Sequence, residues 1–246
     1  MAMLLHRLAD FVNRRLDELY PRPWLDQWTF AHDQGWQPDD PSAYCRRCGS
    51  TIHTTAQTSQ GCPFCLHKAL PWNSITRLSA YDAAMASWVH QLKFNRQWKW
   101  ASLLGRQLGL AMTPPQYPDR TYVCPVPLHL LRRIRRGYNQ SQLLAQEIAR
   151  VHNLPVVNLL RKDRYRQPQS SLTPSRRKIN VRQAYTLPAI DLTGCHFWLV
   201  DDVKTTGATL RACSRLLKQA GATRIDVAVL AVADPHSKDF KQLQKG

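Results

Sequence analysis

Phe197-Trp198-Leu199-Val200-Asp201-Asp202-Val203-Lys204-Thr205-Thr206-Gly207-Ala208-Thr209-Leu210 is the stretch whose reading decides the fold. Its four leading apolar residues predict a buried strand, the two carboxylates stand where that strand should end, and Leu210 to Ala220 carries helical spacing. A strand, a tight turn and a helix start therefore follow one another. Backbone N–H groups from Thr205 to Thr209 lack intrahelical partners, the helix dipole adds positive potential, and the threonine hydroxyls donate as well, so the turn suits a phosphate. Asp201 and Asp202 would repel a phosphate but accept hydrogen bonds from a sugar diol or hold a hydrated magnesium ion. Ribose 5-phosphate offers both a diol and a phosphate. The alternative is that the acids solubilise a strand end and the threonines only start a helix. The turn lacks the glycine-rich run and Lys-Ser/Thr ending of a nucleotide P-loop.

The chain has 246 residues, 43% of them hydrophobic, enough for one good-sized core and a small appendage. Lys and Arg number 34 against 17 for Asp and Glu, giving a net charge of +17. That balance favours polyanionic partners, either nucleic acid or polyphosphorylated substrates. No apolar run approaches the length of a membrane span, and His6, Arg7, Asp10, Arg14 and Arg15 break the N-terminal segment, so neither a membrane insertion nor a secretory signal is expected. The expected location is the cytoplasm.

Seven cysteines fit a reducing compartment. Cys45-x-x-Cys48 and Cys62-x-x-Cys65 are separated by thirteen residues, a spacing that lets two knuckles converge on one tetrahedral ion. Four thiolates leave no open coordination position, so the expected metal is a structural zinc. The other readings are two separate redox thiol pairs, or replacement of one ligand by His53 or His67. Cys124, Cys195 and Cys213 read as core residues.

Leu5, Leu8, Val12, Leu16 and Leu19 predict an amphipathic helix over 3–19, followed by an irregular segment to Tyr44. Leu78, Tyr81, Met85, Trp88 and Leu92 predict a helix, and Ala101, Leu104, Leu108 and Ala111 a second. Between these lies Lys93 to Trp100, basic and aromatic by turns. It reads either as a surface that stacks bases or as lysine stems covering packed tryptophans. Thr121 to Pro127 is a strand candidate, Leu128 to Arg136 a basic loop, Leu143 to Val151 a helix, and Pro155 to Leu160 another strand candidate. A βαβ order brings the basic loop and the Asp201 to Thr209 turn to one sheet edge, where Arg132 and Arg136 are pyrophosphate candidates and Arg133 and Arg135 are weighed beside them. Arg161 to Asn180 is a long polar, cation-rich segment, read as a loop able to close over a sugar phosphate with Arg166 and Arg177, or as a linker. Ile225 to Val232 is the last strand, and residues 235–246 a tail.

The turn resembles the diphosphoribose-binding motif of type I phosphoribosyltransferases. Further blocks, His90-Gln-Leu-Lys-Phe94, Cys124-Pro-Val-Pro-Leu-His129 through Arg136-Gly-Tyr-Asn-Gln140, Gln169-x-x-Leu172 and Arg177-x-x-Asn180, resemble the ComF family of competence-associated proteins. Members often carry another Cys-x-x-Cys upstream; Tyr20 to Tyr44 holds no cysteine. The resemblance implies an α/β fold, a type I phosphoribosyltransferase-like parallel sheet flanked by helices, with a small N-terminal zinc ribbon or knuckle built on four cysteines. It divides the chain into 1–44, a zinc element at 45–72, a helical region at 73–118, the phosphoribosyltransferase-like domain at 119–234 and the tail. It implies Asp201 and Asp202 as diol and magnesium-side ligands, Thr205, Thr206, Gly207, Ala208 and Thr209 as the 5-phosphate cradle, and Cys45, Cys48, Cys62 and Cys65 as zinc ligands. Phosphoribosyl diphosphate (PRPP) with Mg2+ is the implied substrate, the acceptor is open, and the family is linked to natural transformation and incoming single-stranded DNA. The competing expectations are a non-catalytic module for single-stranded DNA and a nucleobase-salvage enzyme.

Overall fold

The computed structural model describes residues 36–52, 61–94, 97–162 and 184–233. The helix expected over 3–19, most of the closing loop with Arg166 and Arg177, His53 and the tail lie outside these residues. In chain order the elements are β1 (Ser74–Ala80), α1 (Ala83–Phe94), α2 (Lys99–Ala111), a 3-10 turn (Pro118–Arg120), β2 (Thr121–Pro125), α3 (Leu130–Arg136), α4 (Gln140–His152), β3 (Arg161–Lys162), β4 (Tyr185–Thr186), β5 (His196–Lys204), α5 (Ala208–Gln219) and β6 (Arg224–Val232). The main sheet runs β1-β6-β5-β2 with every pairing parallel, and β3 and β4 form a separate antiparallel pair.

Side chains alternate across a strand, so the unbroken apolar run of β5 requires cover on both faces. Phe197 and Leu199 pack with Ile225, Val227 and Val229 beneath Leu210, Cys213 and Leu217 of α5. Trp198 and Val200 join Ala228 and Leu230 on the opposite face, against α1, α2 and α4. Helices α2 and α4 approach closely because α2 offers glycines there: a Cβ on Gly105 would lie 2.8 Å from the Cβ of Glu147.

Three readings of local structure need correction. Leu78 belongs to β1, not to the helix its spacing suggested, and residues 73–118 open with a strand of the main sheet. Helix α1 begins only after Asp82, whose Oδ1 accepts the Met85 amide at 2.8 Å and so caps its first turn. Pro155 to Leu160 forms no strand; a single parallel bridge joins Val156 to Val123. The basic stretch after β2 is the helix α3, capped by His129 Nδ1 accepting from the Leu131 amide at 3.2 Å.

The cysteine element packs along the outer side of β1. The Ile75 amide donates to Arg46 O at 2.7 Å, and Leu78 O accepts from the Asp39 amide at 2.6 Å. Arg77, 2% exposed, donates to Gly49 O at 2.6 Å, pairs with Asp39 at 2.7 Å and lies over the Tyr44 ring. Burial pulls its guanidinium below the usual arginine range, and Asp39 opposes that shift. Gly49 has φ +82°, and a Cβ there would stand 2.8 Å from Val232 Cγ2. Gly49→Ala combines left-handed strain with overpacking, so urea denaturation should show a loss of about 2 kcal/mol or more.

Candidate functional site

Beyond β2 the chain passes outward to the bridge at Val156 and then returns inward to β5, so the strand order reverses between β2 and β5. The crevice at the carboxyl ends of two such strands is where parallel sheets bind ligands. A cleft lies there, and Asp201 and Asp202 line it. Both acids lie inside β5, which runs on to Lys204 rather than ending before them. Asp201 Oδ1 accepts from the Ser141 hydroxyl at 3.0 Å and from the Asp202 amide at 2.9 Å. Asp202 Oδ1 accepts from the Val203 amide at 2.6 Å, and Oδ2 pairs with Lys93 Nζ at 3.1 Å. Burial, reinforced by Asp202, pushes the Asp201 carboxyl up to about 7.

Thr205, Thr206 and Gly207 join β5 to α5, whose first residues are Ala208 and Thr209. Gly207 has φ +70°, and the place its Cβ would occupy is ringed by Arg211 Nη1 at 3.2 Å, Lys204 Cε at 3.4 Å and Trp72 Cη2 at 3.7 Å. Arg211 ties the turn by donating to Thr206 O at 2.7 Å, and Thr206 Oγ1 accepts from the Ala208 amide at 3.4 Å. Among the described residues, no backbone acceptor is met by the Thr206 or Gly207 amide. Of the five turn residues, Thr209 lines the cleft directly.

The rim is basic. Arg132 and Arg136 line the cleft, whereas Arg133 and Arg135 do not. Arg136 stands over the Phe94 ring at 5.2 Å. Lys93, Gln140, Ser141, Lys162 and Tyr185 also line the cleft, and sequence reading had singled out none of them as sugar-phosphate contacts. Lys162 and Tyr185 face each other across β3 and β4, at the two ends of the long polar segment, with Lys162 Nζ 4.9 Å from the Tyr185 ring centre. Burial lowers the Lys162 ammonium and raises the Tyr185 phenol. Lys162 was legible as a member of the cation-rich segment Arg161 to Asn180, with Tyr185 a few residues beyond its end; Ser141 gave no signal. Gln140 is 2% exposed, and its Nε2 has no hydrogen-bond partner, leaving an unanswered donor in the cleft wall. Four cations thus surround two carboxylates, an arrangement suited to a ligand carrying phosphates at its ends and hydroxyls between them.

A second cluster joins the four cysteines, all buried, with ligand atoms within 4.8 Å of one another. Cys45 and Cys65 sulfurs are 3.7 Å apart, Cys48 and Cys62 3.6 Å, and Cys62 and Cys65 3.9 Å. Zinc–thiolate bonds of about 2.3 Å in a tetrahedron require sulfur edges of about 3.8 Å, so the donor set fits that ion. Cys45 and Cys48 shift each other in opposite directions, Cys48 pulling the Cys45 thiol below the usual range and Cys45 holding that of Cys48 above it. No helix among the described residues is long and apolar enough to cross a membrane.

Comparison with known proteins matches residues 136–244 to the phosphoribosyl transferase domain. The chain is 34% identical over 190 residues to the DNA utilization protein YhgH of Escherichia coli K12, covering 74% of this chain and 81% of that protein. It is 32% identical over 197 residues to competence protein F of Haemophilus influenzae, covering 77% and 85%. Competence protein ComFC of Bacillus subtilis matches at 30% over 106 residues, 43% of this chain and 42% of that one. With the first two of these relatives matched over most of their length, and with the sheet, cleft and cysteine cluster in place, the chain belongs to the ComF family of phosphoribosyltransferase-like proteins.

Proposed function

We propose that this protein binds PRPP with Mg2+ in the cleft between β2 and β5 and transfers ribose 5-phosphate to a nitrogen acceptor, in the cytoplasm and in the service of DNA uptake or use. The observation that carries this reading is the junction of a carboxylate pair with an amide-rich turn at the sheet's switch point. In it, the 205–209 turn holds the 5-phosphate, Asp201 and Asp202 accept from the ribose hydroxyls, and Arg132, Arg136 and Lys162 face the diphosphate. Magnesium, when bound, supplies charge neutralisation to the diphosphate and is held on the side of the two acids. The acceptor nitrogen forms a bond to ribose C1 as the C1–O bond to pyrophosphate breaks; pyrophosphate leaves with the electron pair, and the nitrogen then loses its proton. Lys93, which pairs with Asp202 at 3.1 Å, holds that carboxylate until ligand arrives. The names of the relatives, DNA utilization and competence proteins, support the link to DNA.

One observation favours a second reading, a module that holds single-stranded DNA without turnover: the net charge of +17, with Arg133 and Arg135 outside the cleft lining. Pyrophosphate release, screened over bases, nucleotides and single-stranded DNA as acceptors, separates the two.

Calorimetry with PRPP and Mg2+ should show Asp201→Asn with Asp202→Asn losing affinity by about tenfold or more, because charge-assisted hydrogen bonds are worth about 1.5–3 kcal/mol each; unchanged affinity rejects the site. The four cysteines are proposed to hold one structural zinc per chain, which metal analysis of the purified protein should find, with Cys62→Ser lowering both zinc content and the melting temperature. The pH dependence follows from Asp201, at about 7 when folded against an ordinary 3.8. Between those values the folded chain holds a proton that the unfolded chain has lost, so stability falls as pH rises through this window. Asp201→Asn should flatten that fall in urea midpoints taken at pH 5 and above pH 7.

A further inference from the structure

The cysteine cluster and the 205–209 turn lie far apart in sequence, yet one side chain spans them. Trp72 is 4% exposed, and its Nε1 donates at 2.9 Å to the carbonyl of Arg47, which sits between the ligands Cys45 and Cys48. The Arg47 guanidinium reaches across to the second knuckle, donating to Cys65 O at 2.7 Å and to Lys68 O at 2.8 Å. Both knuckles therefore fix the carbonyl that orients the indole. At its other end, Trp72 Cη2 meets Gly207 at 3.7 Å from the place of a Cβ, against the same backbone that Arg211 and Lys204 enclose. Asn73 holds the base of this strut, donating its amide to Ile225 O at 2.7 Å and accepting from the Ile225 amide at 3.0 Å.

We propose that the four-cysteine centre is a positioning device for the phosphate turn, acting through Trp72 wedged between the Arg47 carbonyl and Gly207. Metal binding fixes the two knuckles, the knuckles fix the Arg47 carbonyl, and the indole then denies the turn the space to open. Trp72 is a positioning residue and touches no ligand. The consequence for phosphate affinity rests on the reading of the turn as a 5-phosphate cradle; the mechanical coupling does not.

Hydrogen exchange of the 203–212 segment in the full, zinc-loaded chain tests the coupling directly. Chelation under reducing conditions should speed exchange of this segment by about fivefold or more, the lower end of ordinary site-to-site coupling. In Trp72→Leu, zinc content retained, exchange should already be fast and chelation should add little. Trp72→Phe, which keeps a ring but loses the donor to Arg47, should likewise lose the response to zinc. Equal responses to chelation in wild type and Trp72→Leu, or no response in wild type while β2 and α4 stay protected, overturn the proposal. Where chelation unfolds β2 and α4 as well, zinc-loaded Trp72→Leu decides alone: a turn as protected as in wild type overturns the coupling. Ribose 5-phosphate affinity should fall in step with the exchange. If the zinc-loaded wild type ignores ribose 5-phosphate while the exchange pattern holds, the phosphosugar reading fails and the coupling stands.

Discussion

The constraint from which the rest follows is the double burial of β5. With β6 on one side, β2 on the other and helices over both faces, nothing polar is tolerated along Phe197 to Val200, and the first position where charge can stand is the carboxyl end. Asp201 and Asp202 take that position, and even there Asp201 bears the cost of burial in its raised carboxyl. The strand's rigidity is what makes the placement useful. Two acids on a mobile loop would relax into solvent, whereas here Ser141, Lys93 and two backbone amides hold their oxygens in place.

The reversal of strand order gives those acids their company. Because the chain leaves β2 on its outer side and comes back to β5, the stretches after both strands open onto one crevice instead of covering each other. Asn139 secures the far wall by donating to Val126 O at 3.0 Å, which sets the start of α4 and with it Gln140 and Ser141. Cations arrive from three separate places, the end of α1, the helix α3 and the strand β3, so the basic character of the cleft is a property of the fold and not of any one segment.

What sequence reading could see was whatever is written locally. The β5-turn-α5 unit carries its own period change, its own glycine and its own acids, and the cysteine spacing carries its own metal geometry. Lys93 was visible as one member of a basic-aromatic run and of the His90 to Phe94 block, but not as a partner of Asp202, which is more than a hundred residues away. Leu78 misled for a related reason: its spacing to Tyr81 and Met85 imitates a helix, while the features that make 74–80 a strand are the distant pairing with β6 and the burial of Arg77 against Asp39. A buried arginine reads as a surface residue until its partners are known. Arg77 was legible in neither role.

The capping of β1 by the cysteine element carries one more implication. Parallel sheets end in rows of unpaired amides and carbonyls, ready templates for another chain, and here Arg46, Tyr44 and Asp39 occupy that row on β1. Those three belong to the segment that leads into and carries Cys45 and Cys48. If the four cysteines hold the proposed zinc, losing it would do more than silence the protein: it would bare a sheet margin on which copies could stack, so the ion would also keep the molecules apart.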